Sequence, residues 1–154
     1  MADIFLVDTS IFVEILNVPV KSDHHRQVQV KEQLKEHIHK GDHLFLPIAT
    51  VLETGNHIAQ NGDGNQRRQC AERFVKTVRW AVEESMPWVL APLPDNTTLV
   101  SWLDDFPDSA MRERGIGDHS IVRAFEQACA KFPRMRVAVW TLDRKDLQGY
   151  DRRP

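Results

Sequence analysis

The sequence predicts an α/β fold with a mainly parallel sheet. Short, largely apolar runs at residues 4–7 (IFLV), 43–46 (HLFL) and 136–140 (RVAVW) are typical of strands buried on both faces. Longer segments with helical spacing of apolar residues separate these runs, so strands and helices alternate along the chain. A length of 154 residues, of which 42% are hydrophobic, suits one domain over residues 1–154.

The remaining elements follow the same alternation. Helices are predicted over residues 9–16, 26–40, 49–60, 66–84, 95–103 and 118–132, and a further strand over residues 88–90. Residues 104–117 are predicted to form a loop because they contain Pro107, Gly115 and Gly117.

Charge and cysteine content restrict the classes of function. Twenty basic and 22 acidic residues give a net charge of −2, which lowers the expectation of a nucleic-acid ligand without removing it, since a local basic patch can be hidden in the total. Two cysteines without a spacing motif favour a reducing compartment, and no histidine or cysteine spacing resembles a zinc module. The first residues lack a basic segment and no apolar run approaches about 18 residues, so we expect a cytoplasmic protein without a membrane span.

Four acidic residues lie at the ends of predicted elements. Asp8 and Asp143 follow two predicted strands, and Glu53 lies in the first turns of the helix after another. Asp118 begins a helix after the glycine-containing loop. Ligands of open α/β sheets bind outside the carboxyl ends of the strands, so we expect these carboxylates to converge. Crowded carboxylates repel unless a cation neutralises them, and hard oxygen ligands favour Mg²⁺ or Mn²⁺.

Each acid also has a purely structural interpretation. Asp118 is a typical helix N-cap, and Asp143 is a typical turn residue. Glu53 fits the solvated face of a helix. Asp8 fits a turn residue. It is a weaker candidate for the N-cap of the following helix, because Thr9 and Ser10 compete with it for that role. The structural interpretation needs a separate explanation for each of the four residues. A shared metal site explains all four at once, and we therefore favour it.

The contexts of these acids resemble the motifs of the PIN-domain family. The four segments are VDTSIFVEIL, PIATVLETGNHI, GIGDHSIVRA and VAVWTLDRKDL, and together the resemblance covers residues 4 to about 147. Within the family, the chain is most similar to the VapC-type toxins of bacterial toxin–antitoxin pairs. The resemblance implies a three-layer α/β/α sandwich that hydrolyses RNA phosphodiester bonds with Mg²⁺ or Mn²⁺, forms a homodimer and binds an antitoxin protein.

The resemblance also assigns roles to residues. Asp8, Asp118 and Asp143 would bind the metal directly or through water, and Glu53 would complete the shell or orient the attacking water. Ser10 and Thr141 are accessory candidates that would bind the carboxylates or a phosphate, and turn or cap roles explain them equally well. From their position beside the last of these acids, Arg144 and Lys145 are predicted to contact RNA phosphates.

Two departures from the family pattern leave an alternative open. The last motif reads DRKDL instead of a tighter acid-x-acid ending, so Asp146 is assigned only an accessory role. Asp104, Asp105 and Asp108 would repel RNA if they faced the site. The alternative is a PIN fold kept as a binding or scaffold protein without catalysis.

Overall fold

Six helices and a five-stranded sheet make up the computed structural model, which describes residues 2–154. The strands are β1 Ile4–Val7, β2 His43–Leu46, β3 Trp88–Leu90, β4 Val137–Trp140 and β5 Asp151–Arg152. The helices are α1 Thr9–Ile15, α2 His24–Lys40, α3 Ile48–Gln60, α4 Gly64–Glu83, α5 Asn96–Met111 and α6 Ile116–Lys131. Within the described residues, no helix has both the length and the apolar composition needed to cross a membrane.

The sheet has the strand order β3-β2-β1-β4-β5. Strands β1 to β4 are parallel, and β5 runs antiparallel beside β4. The predicted α/β class and the mainly parallel sheet are therefore confirmed. The short apolar runs form the central strands because both of their faces are covered, and all four residues of β1 and of β4 are buried.

Alternate residues of the sheet contribute to two separate hydrophobic clusters. Phe5 and Val7 of β1 pack in one cluster with residues from α1, α3 and α4. Ile4 and Leu6 pack in the other, with residues from α6. Since successive side chains of a strand point to opposite faces, the helices cover both faces of the sheet. This arrangement is compatible with a three-layer α/β/α fold.

The prediction of a loop over residues 104–117 is wrong, because α5 continues to Met111 with Pro107 inside it. A proline removes one helical hydrogen bond, but contacts with α6 hold the helix on both sides of this position. His119 Nε2 donates to the Trp102 carbonyl at 2.7 Å, and its Nδ1 bonds to Ser109 Oγ at 2.7 Å. These partners are distant in sequence, so local composition did not reveal them.

The last strand is a further feature that the sequence patterns missed. The Arg136 guanidinium donates to both carboxylate oxygens of Asp151, at 2.9 and 2.8 Å. Arg152 donates to the carbonyl oxygens of Cys129, Phe132 and Pro133, near the end of α6. Arg152 therefore has a structural role, because it connects the last strand to the end of α6.

Removal of a buried leucine tests the core of the sheet. Leu46 of β2 is 0% exposed, whereas Leu52 of α3 is 62% exposed. We expect Leu46→Ala to lower the free energy of unfolding by about 2 to 5 kcal/mol, because it loses buried surface and leaves a cavity. The matched control, Leu52→Ala, should change it by less than about 0.5 kcal/mol. Urea denaturation measures both, and similar losses in the two variants would contradict the described packing.

Candidate active site

The candidate site lies where the strand order reverses. From β1 the chain continues to β2 and β3 on one side, and it then returns to form β4 on the other side of β1. The carboxyl ends of β1 and β4 therefore flank the switch point, the usual ligand site of open α/β sheets. Asp8 directly follows β1, and residues 141–143 directly follow β4.

Asp8 joins three elements at this point. Its backbone N–H donates to the Trp140 carbonyl at the end of β4, at 3.0 Å. Its side chain is the N-cap of α1 and accepts from the Ser10 N–H at 3.4 Å. Asp8, and neither of the hydroxyl residues that follow it, is therefore the N-cap of α1. With 3% exposure, Asp8 is a buried carboxylate whose orientation is fixed by its neighbours.

Two hydroxyl groups orient the Asp8 carboxylate. Ser10 Oγ donates to Asp8 Oδ2 at 2.7 Å, and Thr141 Oγ1 donates to the same oxygen at 2.8 Å. Each hydroxyl in turn accepts a backbone N–H, from Leu142 at 2.9 Å and from Asp143 at 2.8 Å. A carboxylate oxygen only accepts and a backbone N–H only donates, so both hydroxyl protons point to Asp8. The structure thus places Ser10 and Thr141 on Asp8, and the other oxygen of Asp8 accepts no hydrogen bond from the described residues.

Glu53 reaches the same site from α3. Thr50 Oγ1 donates to the Val7 carbonyl at 2.7 Å, which fixes the first turn of α3 against the end of β1. One turn later, Thr9 Oγ1 donates to Glu53 Oε2 at 2.8 Å. The first turn of α6 also approaches Glu53, because a Cβ added to Gly117 would lie 2.5 Å from Glu53 Oε1. A glycine here lets α6 come close to the Glu53 carboxylate.

Asp118 lies in the first turn of α6, where the N-cap is Gly115. The interpretation of Asp118 as an N-cap is therefore wrong. Burial, followed by the negative charges of Asp8, Glu53, Asp143 and Asp146, raises the pKa of the Asp118 carboxyl to about 7. Such crowding of like charges is typical of functional sites.

Asp143 and Asp146 lie in the turn after β4. Asp143 Oδ1 accepts the backbone N–H groups of Lys145 at 2.9 Å and Asp146 at 3.1 Å, so Asp143 has the expected turn role and also faces the site. One oxygen each from Asp118, Asp143 and Asp146 lie within 4.8 Å of one another. Asp146, predicted as an accessory residue, belongs to this group, and Asp8 lies outside it.

The four predicted acids line one cleft of about 330 Å³. The residues that line it are Asp8, Thr9, Ser10, Val13, Lys21, Glu53, His57, Asp118 and Asp143. Within residues 2–154, the lining of this cleft does not include Asp104, Asp105 or Asp108. These three acids lie on α5, where Asp105 pairs with Arg123 at 2.9 Å. Arg144 and Lys145 are exposed next to Asp143 in the chain but do not line the cleft, and Lys145 Nζ lies 3.6 Å from Glu113.

Sequence patterns missed several residues of the cleft. Lys21 lies between the first two predicted helices, with no motif around it. His57 follows Glu53 by four residues, so helical spacing would have placed both on the same face of α3. The bond from Thr9 to Glu53 depends on how α1 packs against α3, and no local signal indicates it.

The charges of the cluster fit a divalent cation. No lysine, arginine or histidine among residues 2–154 forms an ion pair with Asp8, Glu53, Asp118, Asp143 or Asp146. An all-carboxylate donor set is the type that Mg²⁺ and Mn²⁺ prefer. The raised pKa of Asp118, caused first by burial and then by the charges of the neighbouring carboxylates, is consistent with this.

Comparisons of this chain with protein-family models, curated proteins and solved structures gave no match. The function of the chain is therefore inferred from its own residues and their geometry.

The raised pKa of Asp118 predicts a stability change with pH in EDTA. Between the ordinary pKa of 3.8 and about 7, the folded protein keeps a proton on Asp118 that the unfolded chain releases, so rising pH destabilises the fold. Asp118→Asn removes this effect. The difference in unfolding free energy between Asp118→Asn and the wild type should increase over this interval, by about 2 kcal/mol after solvent screening, and stay constant at higher pH.

Urea denaturation from pH 4 to pH 8 measures this difference. Asp95→Asn is the control of opposite sign, because hydrogen bonds from Thr98 lower the pKa of Asp95. That control should lose stability relative to the wild type as the pH rises through the acidic range. A pH-independent difference for Asp118→Asn would show that Asp118 titrates normally.

Proposed function

We propose that this chain is a metal-dependent endoribonuclease of the PIN-domain kind, similar to the VapC-type toxins. The observation that carries the proposal is the convergence of Asp8, Glu53, Asp118 and Asp143 in one cleft at the switch point of the sheet. These residues come from four distant segments of the chain. Structural explanations of each acid alone do not require the four to meet.

Asp118, Asp143 and Asp146 would hold the cation, since their oxygens lie within 4.8 Å of one another. Asp8 faces the same cleft and would contribute its free oxygen directly or through water. A bound Mg²⁺ or Mn²⁺ supplies hydroxide from water at neutral pH and stabilises negative charge on the phosphate.

The other residues of the cleft would orient these groups. Ser10 and Thr141 hold Asp8 by hydrogen bonds of 2.7 and 2.8 Å, which limits its rotation when a ligand binds. Thr9 holds one oxygen of Glu53 and leaves the other to accept a hydrogen bond from a water or substrate hydroxyl. Preorganised oxygens of this kind favour hydrolysis because little rearrangement is required during the reaction.

The resemblance to VapC-type toxins extends the proposal beyond the cleft. By this resemblance, the substrate would be RNA, and Arg144 and Lys145 would contact its phosphates. The partners would be a second copy of the chain and an antitoxin protein. A cytoplasmic location would suit Cys70 and Cys129, which are both free thiols.

Metal binding gives a first test that does not depend on the substrate. Saturating Mn²⁺ should raise the melting temperature of the wild type by about 5 to 10 °C, because it binds the folded state and relieves carboxylate repulsion. Asp146→Asn should lose most of this increase. Asp104→Asn, which removes an exposed acid outside the cleft, is the matched control and should keep it. Equal increases in the two variants would mean that Asp146 does not bind the metal.

Cleavage of RNA is the decisive test. We expect Mg²⁺- or Mn²⁺-dependent cleavage of structured RNA, little cleavage of double-stranded DNA and complete inhibition by EDTA. Asp8→Asn, Asp118→Asn and Asp143→Asn should each lower kcat at least a hundredfold, on the order expected when a metal ligand is lost. Glu53→Gln should be severely impaired. A gel assay with labelled cellular RNA measures these rates.

Asp104→Asn is again the control and should cleave like the wild type. Cleavage that continues in EDTA would contradict the metal mechanism. A metal-loaded protein that binds RNA without cleaving it would favour the alternative of a non-catalytic scaffold.

A further inference from the structure

The cleft has a second region beyond its acidic cluster. Val13 follows Thr9 by one turn of α1, and His57 follows Glu53 by one turn of α3, so each lies about 6 Å further along its helix axis. Lys21 lines the cleft together with them. Among the described residues that line the cleft, it is the only lysine or arginine.

The backbone of Lys21 is fixed by a buried acid that the proposed reaction does not use. Glu14 of α1 is 1% exposed, and its Oε1 accepts from Arg26 Nε at 2.8 Å. Its Oε2 accepts the Asp23 N–H at 3.0 Å. The Arg26 guanidinium also donates to the Lys21 carbonyl at 3.4 Å. Glu14 thus connects the loop that carries Lys21 to α1.

The same loop keeps an unfavourable backbone conformation. Val20 has a φ of 69°, in the left-handed region that β-branched residues rarely adopt, and its side chain is exposed. Ser22 stabilises the loop, because its N–H and its hydroxyl both donate to the Val18 carbonyl, at 3.0 and 2.8 Å. Strained residues persist where surrounding contacts determine them, and they cluster at ligand sites.

The ammonium group of Lys21 is free to bind a ligand. Its side chain is exposed and forms no ion pair within residues 2–154, unlike Lys145, which pairs with Glu113. A polynucleotide has a phosphate on every residue, and lysines neutralise such phosphates. With the scissile phosphate at the acidic cluster, a neighbouring phosphate of the same strand would lie toward Lys21.

We propose that Lys21 forms a phosphate subsite that binds the backbone of the nucleic acid next to the cleaved bond, and that Glu14 and Arg26 position it. This inference rests on the proposed ribonuclease function. It adds a cation to a cleft whose other charges are negative, and so explains how the cleft retains a polyanion.

Steady-state kinetics with a labelled RNA hairpin that the wild type cleaves, in Mg²⁺, test the subsite. Lys21→Met should raise KM about three- to tenfold and leave kcat within about twofold, because the lost contact exists before and during the reaction. Lys21→Arg should restore most of the affinity. The slope of log KM against log salt should fall by about 0.7 to 0.9, the value for one phosphate.

Lys35→Met is the matched control, because Lys35 is an exposed lysine of α2 paired with Glu32 and lies outside the cleft. If the wild type cleaves and Lys21→Met has the KM and salt slope of this control, the subsite is wrong and the proposed function stands. A loss confined to kcat would also overturn it, because it would place Lys21 in the chemical step. If the wild type cleaves no RNA, the proposed function and the subsite both fail.

Discussion

The hydrogen bonds around Asp8 connect the parts of the molecule on which the candidate site depends. Asp8 directly follows β1, caps α1, donates its backbone N–H to the last residue of β4 and accepts hydrogen bonds from two hydroxyl groups on a single oxygen. Ser10 and Thr141 belong to segments 131 residues apart, yet they meet at this carboxylate. Because the same bonds fix the turn after β4, the position of Asp143 depends on the position of Asp8. The acidic cluster is therefore a consequence of how the two central strands end.

This arrangement concentrates negative charge where the fold offers limited compensation. The positive end of the α6 dipole lies near Asp118, which favours an anion there by a fraction of the energy that the crowding costs. Burial and this crowding together raise the pKa of the Asp118 carboxyl to about 7. Binding of a divalent cation would relieve this repulsion, which is what the proposed metal-dependent hydrolysis requires.

The sequence was sufficient to predict the central strands and the four acids of the cleft, because these features depend on local composition and on the shared direction of parallel strands. It was insufficient where distant contacts decide the outcome. Helix α5 continues through Pro107 because of His119, and Lys21 reaches the cleft because Glu14 is buried beneath its loop. Asp146 joins Asp118 and Asp143 only through the tight turn around Asp143. Capping by Asp8 could have been expected from its position alone, but neighbouring hydroxyl residues obscured it.

Strand β5 has a consequence for how copies of this chain would associate. Its two residues pair with Val137 and Ala138, and the ion pair between Arg136 and Asp151 holds them there. The edge of β4 is thereby covered by a strand too short to template another one, and the opposite edge strand, β3, has only three residues. Short edges of this kind protect parallel sheets from edge-to-edge aggregation. Neither edge of the sheet therefore offers a long row of free backbone groups on which the strand of a second copy could pair.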